Sequence, residues 1–290
     1  MPSEEFQKLV AYMAANPMPK FGYPEMREQM AAFGRRAKLP EGMTEEVAQG
    51  TSVPALLLTP ADAEEGLVIF AHGGGFTLGS AESHRHVAGW LGQAARRKVL
   101  IFDYRLAPEH PFPAALDDYR QIYNWALDQG FAPGSVAFAG DSAGANLSLS
   151  LAANGDLPRP GAVAMLSPSL DLAAYLALEP DAITDKTVDA GSIAEGFREY
   201  IGTADAADPR ISPNLASPAS LPPLLVQLAR DEVFAPDALA FAEKAKADGG
   251  VVDVDIWPDM IHDWHWYAPR LPEANQALER AGAFIRQHLA

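Results

Sequence analysis

The residues Gly140-Asp141-Ser142-Ala143-Gly144 place a serine between two glycines, in the pattern G-x-S-x-G. An apolar run, "SVAFA", precedes it, and a small-residue, helix-competent run, "ANLSLSLAAN", follows. A serine on a sharp strand-to-helix turn needs strained backbone angles, and the flanking glycines let neighbouring chains approach closely. The helix N-terminus beneath offers free N–H groups and the positive end of a dipole, which suit a developing oxyanion. The same five letters also describe a glycine-rich turn whose serine caps a helix. The strand before and the helix after favour a nucleophile.

A serine hydroxyl is a poor nucleophile unless a base takes its proton and a third group holds the base. Of seven histidines, His262 and His265 lie in "VDVDIWPDMIHDWHWY", just past the last apolar run. His262 falls in the loop proper, whereas His265 sits among Trp264, Trp266 and Tyr267, where packing is its natural role. The orienting acid should end the preceding strand. In "PPLLVQLARDEVFAPD" Asp231 comes first in the turn and is the expected partner, with Glu232, Asp237 and Asp255 as competitors. Ser142, Asp231, His262 is the chain order of an α/β-hydrolase. A fourth piece is "IFAHGGGFTLGS": the N–H groups of Gly73, Gly74 and Gly75, joined by that of Ala143, can donate to an oxyanion. A phosphate-binding loop is the rival reading of the glycine run, but no G-K-[ST] or G-x-G-x-x-G follows.

The elements that must position these residues are visible as alternating patterns. Apolar runs predict strands near Val53–Leu58, Leu67–Ala71, Val99–Phe102, Ser135–Ala139, Ala162–Leu166, Leu224–Leu228 and Val252–Trp257. Helical periodicity falls near Ser83–Arg97, Ala114–Gln129, Ala143–Asn154, Pro236–Asp248 and Pro272–His288. Such alternation predicts an α/β architecture with a mostly parallel central sheet, helices on both faces, and the site at the carboxyl ends of the strands. Residues 1 to about 40 read as helices broken at "NPMPKFGYP". Residues from about 172 to 215 are acidic, with a helical stretch near Ser192–Ile201. Each is read either as a cap over the sheet or as packing helices.

Taken together, "HGGGF" (His72–Phe76), "DYRLAPEHPFPAA" (Asp103–Ala115), "GDSAG", "DEVF" (Asp231–Phe234) and "WPDMIH" (Trp257–His262) resemble the hormone-sensitive-lipase family, the bacterial family IV esterases of the α/β-hydrolase fold. The resemblance runs from about residue 50 to the C-terminus. It implies a carboxylic ester hydrolase with Ser142 as nucleophile, His262 as base, Asp231 as its partner, and an oxyanion hole from Gly73–Gly75 and Ala143. Phe76 and Asp141, at the edges of two of these motifs, are assigned to substrate binding. Residues 1–45 are similar in placement to the family's helical cap, leaving 46–290 as the catalytic domain with a cap insertion at about 172–215. Glu109 and His110 fall in a segment that in such proteins supports the glycine loop. Ser169 in "SPSLDL" departs from relatives that often carry a bulky aromatic there, which leaves acyl and alcohol preference open. Plant hormone receptors on the same fold lose the catalytic histidine, and His262 is present here.

Composition sets the outer bounds. The chain has 290 residues with 22 basic and 38 acidic side chains, and its formal net charge of −16 disfavours nucleic acid and anionic membrane surfaces. With no cysteine there is neither a disulfide framework nor a thiolate metal site. His84 and His86, two apart in a helical stretch, face different directions and are poor co-ligands, so no metal and no cofactor is expected. Early glutamates, the lack of a signal-like apolar core and the absence of an apolar run near ~18 residues predict a soluble, cytoplasmic protein without stable membrane association. The expected partner is a small-molecule ester with a short-to-medium acyl group, lactones included, acting on a monomer or homodimer. An acyltransferase or perhydrolase with the same catalytic residues, or a ligand-binding receptor, is the alternative.

Overall fold

The computed structural model describes residues 2–16, 21–153, 155–177, 190–218 and 221–290. Of the sequence expectations, the break around residues 17–20, Asn154 at the end of a helix, and residues 178–189 of the insertion lie outside these. Eight strands form one sheet: β1 (Thr44–Val47), β2 (Ala55–Thr59), β3 (Glu64–Ala71), β4 (Arg97–Phe102), β5 (Val136–Asp141), β6 (Ala162–Leu166), β7 (Leu224–Ala229) and β8 (Val252–Trp257). Their spatial order is β1-β2-β4-β3-β5-β6-β7-β8. β1 and β2 pair antiparallel with their neighbours, and every later pair is parallel. This is the α/β-hydrolase fold that the alternation of patterns and the motif order lead one to expect.

Helices are α1 (Glu4–Ala15), α2 (Tyr23–Arg36), α3 (Ala81–Ala95), α4 (Ala114–Asp128), α5 (Ala143–Ala153), α6 (Leu172–Leu176), α7 (Ala190–Ile201), α8 (Ala235–Ala247) and α9 (Pro272–His288). The central strands are buried on both faces, which explains their near-continuous apolar runs. Two cores follow. One lies where Tyr119, Tyr123, Phe138 and Phe241 cover one face, and the other where Val87, Leu91, Leu278 and Ile285 cover the opposite face. β1 escaped the sequence reading because "TEEV" exposes all four side chains. Its charges blunt an edge that would otherwise invite pairing.

α5 is buried from Ala143 to Leu151, and its small residues bring it hard against the sheet. A Cβ on Gly144 would sit 1.9 Å from the Ala71 carbonyl oxygen. Ser148, buried in the same helix, donates back to the Gly144 carbonyl at 2.9 Å or on to that of Ala139 at 3.1 Å. The N-terminal segment packs on the α3/α9 side. Phe6 is buried there, with Leu9, Val10 and Met13 against it, and Phe33 stacks on Trp266 at 4.3 Å. From the insertion, Tyr200 on α7 stacks on Phe76 at 3.7 Å, over the glycine loop.

Candidate active site

Ser142 sits between the end of β5 and the start of α5 with φ of 49°, in the left-handed region. A non-glycine residue held there costs on the order of 1–3 kcal/mol, and it persists because the surrounding bonds fix it. The Ser142 N–H donates to the Leu166 carbonyl at 2.9 Å, and the Ser142 carbonyl accepts the Asn146 N–H at 3.2 Å. The turn thereby lifts the hydroxyl clear of the sheet edge.

His262 follows β8, and its ring meets Phe234 edge-on at 4.9 Å. Its Nε2 lies 3.1 Å from Ser142 Oγ, and its Nδ1 lies 3.1 Å from a carboxylate oxygen of Glu232. The sequence assignment of Asp231 is therefore corrected to Glu232. The reason is local. The Glu232 N–H closes a tight turn onto the Ala229 carbonyl at 3.3 Å, so Arg230 and Asp231 occupy the exposed tip and Glu232 is the first residue to return inward. Glu232 is buried, whereas Asp231 is exposed. The other competitors are engaged elsewhere: Asp237 accepts from Tyr175 Oη and the N–H groups of Leu170 and Asp171, and Asp255 from Gln227, Trp257 and Arg280.

Burial pushes the Glu232 carboxyl up to about 7, against the pull of His262. For His262 burial alone would favour the neutral ring, but Asp263 and Glu232 override it and hold the ring well above the ordinary histidine range. His265 behaves as the packing residue it resembled: fully buried, its ring tilted against Trp264 with centroids 3.8 Å apart, and pushed down to about 3 by burial.

The glycine loop follows β3. Gly73 donates its N–H to Asp141 Oδ1 at 2.9 Å, and the other oxygen of Asp141 lies 3.2 Å from His84 Nε2. Burial alone would raise Asp141, yet His84, His72 and the Gly73 N–H together hold it below the usual carboxylate range. This corrects two expectations: Asp141 anchors the loop from within, and the Gly73 N–H is already committed to it. Among the described residues no hydrogen bond engages the N–H of Gly74, Gly75 or Ala143. Gly74 has φ of 116°, a conformation closed to side chains, and the space beside Gly75 is open. Phe76 is also corrected, since it is wholly buried between the loop and Tyr200 and meets no open space. His72 stacks on Tyr104 at 4.1 Å, and Tyr104 donates its hydroxyl to the His72 carbonyl at 2.7 Å. Ala107 bonds the Phe76 carbonyl, and Glu109 pairs with Arg27 of α2, so the "DYRLAPEHPFP" segment buttresses the loop. Arg27 also donates to the carbonyls of Thr77 and Ala107. His86 is bonded to the Trp266 carbonyl. Ser169 is fully buried behind the nucleophile.

The chain is similar to known proteins in both sequence and fold. The family model described as the alpha/beta hydrolase fold matches residues 68–266. An acetyl-hydrolase of Streptomyces hygroscopicus is 41% identical over 234 residues, which span 78% of this chain and 77% of that protein. A crystal structure of an esterase from the bacterial hormone-sensitive lipase family superimposes with a TM-score of 0.91 at 32% identity over 100% of both chains. The chain belongs to the hormone-sensitive-lipase family of α/β-hydrolase esterases. A further solved structure, that of EstE5 soaked with p-nitrophenyl butyrate, is 35% identical with a TM-score of 0.90 over 99% of both chains. In this chain the turn that carries Ser142 and the glycine loop lie at the carboxyl edge of neighbouring parallel strands. No helix among the described residues is long and apolar enough to cross a membrane.

Proposed function

We propose that this carboxylesterase hydrolyses short-to-medium acyl esters through Ser142, His262 and Glu232. The observation that carries the reading is the unbroken chain from Glu232 to His262 Nδ1 and from Nε2 to Ser142 Oγ, beside open backbone N–H groups. Ser142 Oγ attacks the ester carbonyl while His262 Nε2 takes its proton, and Glu232 keeps the other proton on Nδ1 and stabilises the imidazolium. The N–H groups of Gly74, Gly75 and Ala143 receive the oxyanion, with Gly73 kept as the anchor of the loop. As the tetrahedral adduct collapses, His262 returns its proton to the departing alcohol. Water then repeats the cycle on the acyl-enzyme.

Residues 1–45 and the insertion at about 172–215 act as the cap in this reading. Supporting it, Phe33 and Met13 meet Trp266 and Tyr267, the turn that follows His262. A compact wall with adaptable methionines fits acyl groups of about two to eight carbons, lactones of that size included. The protein acts without metal or cofactor. A series of p-nitrophenyl esters of increasing acyl length tests this: turnover concentrated on short chains and lost in Ser142→Ala is the expected result. Equal rates on long chains, or turnover surviving in Ser142→Ala, would overturn it.

A further inference from the structure

The atom of His262 that must take the serine proton has a second neighbour. Asp263 Oδ2 lies 3.1 Å from His262 Nε2, the same separation as Ser142 Oγ. Asp263 adopts a left-handed backbone conformation with φ of 52°, pinned by its N–H donating to Ser167 Oγ at 3.3 Å, and this turns its carboxylate back onto the ring. The other oxygen, Oδ1, is buried and has no hydrogen-bond partner.

An ionised carboxylate and an imidazole lone pair do not settle at this distance without a proton between them. Either the imidazolium donates Nε2–H to Asp263, or a protonated Asp263 donates to Nε2. In both cases the lone pair that should receive the Ser142 proton is occupied. We propose that Asp263 is a second carboxylate on the base, holding a proton at His262 Nε2 in competition with Ser142 and so setting the pH above which the enzyme turns over. The proposal rests on the catalytic reading of Ser142 and His262 given above. Releasing this proton to solvent leaves Asp263 ionised; its carboxylate, repelled by the freed Nε2 lone pair, turns away, and the hydrogen bond to Ser142 Oγ then becomes productive.

The charged and titratable groups around the pair come from every packed element. Glu232 after β7 faces Nδ1, Asp141 at the end of β5 and His84 on α3 face Asp263, and Tyr267 faces Asp263 from the turn after His262. Burial and Asp141 make ionisation of Asp263 harder, while His262 favours it, and the balance leaves its carboxyl raised. Both directions keep the shared proton in place at lower pH.

The test is the pH profile of kcat/KM on p-nitrophenyl butyrate for the parent, Asp263→Asn and Asp263→Gly. Asparagine and glycine both tolerate the left-handed backbone, so neither substitution strains the turn. The parent's acid limb should lie above the ordinary histidine value of about 6.5. Both variants should move that limb down by about one to three pH units, the size expected when an opposite charge is removed from contact. A parent limb at or below about 6.5, or variants whose limb does not move, would overturn the role of Asp263. These results are distinct from failure of the underlying reading, which would appear as a parent with no ester turnover at any pH.

Discussion

Replacing Glu232 by glutamine removes one charge at the far side of the base while keeping shape and volume. The carboxylate is 4% exposed and lies 3.1 Å from Nδ1, so little solvent screens it. At an effective dielectric of about 20, Coulomb attraction to the imidazolium formed during the reaction has a ceiling of roughly 5 kcal/mol. Asp263, on the other ring nitrogen, retains part of that stabilisation. The net loss should be about 3–4 kcal/mol, which is roughly 10²–10³ in kcat. The glutamine amide can also turn its NH2 toward Nδ1 and select the wrong tautomer, which acts in the same direction. Asp231→Asn is the control. Its side chain is exposed at the turn tip, so its kcat should stay within about a factor of three. Initial rates on a saturating p-nitrophenyl ester, with circular dichroism to verify folding, measure both. A fully active Glu232→Gln beside an inactive Asp231→Asn would refute the reasoning from turn geometry.

Other perturbations bear on the loop and the N-terminal helices. Asp141→Asn keeps an acceptor for the Gly73 N–H but loses the carboxylate's contact with His84, so it should lower stability by about 1–3 kcal/mol and reduce kcat more than it raises KM; denaturant midpoints and steady-state kinetics measure the two effects. Deleting residues 1–35 strips Phe33 from Trp266 and Met13 from Tyr267, exposing apolar surface beside the His262 loop. The truncated protein should aggregate more readily and lose its preference for short chains. An unchanged chain-length profile would make this segment plain packing.

Much of this arrangement is legible in the residues themselves. G-x-S-x-G after a buried strand, three glycines after another, and a histidine after the last strand each need their own geometry, and the sheet delivers all three to one edge. The strands Ala162–Leu166 and Val252–Trp257 fall where the apolar runs end. What escaped the sequence depends on which way side chains leave a turn. Asp231 and Glu232 are adjacent and both acidic, and only the bond from the Glu232 N–H to the Ala229 carbonyl decides which one points inward. Counting a four-residue turn from the last buried strand residue, Ala229, would have found Glu232. Asp141 illustrates a second limit: next to the nucleophile, it looks like a substrate contact until its two oxygens are seen to be taken by Gly73 and His84. Asp263 carried no signal of its own, because it reaches Nε2 only through a left-handed backbone angle that an aspartate adopts occasionally.

Turnover by this route passes through a covalent acyl group on one serine. Brief reaction with an activated short-chain ester at a pH low enough to slow deacylation, followed by intact-mass and peptide mass measurement, tests it most directly. The expected result is a mass increase of one acyl group on the peptide carrying Ser142, and none in Ser142→Ala. An acyl group on another residue, or turnover by the parent with no acyl-enzyme and no sensitivity to a serine-directed phosphonate, would contradict it.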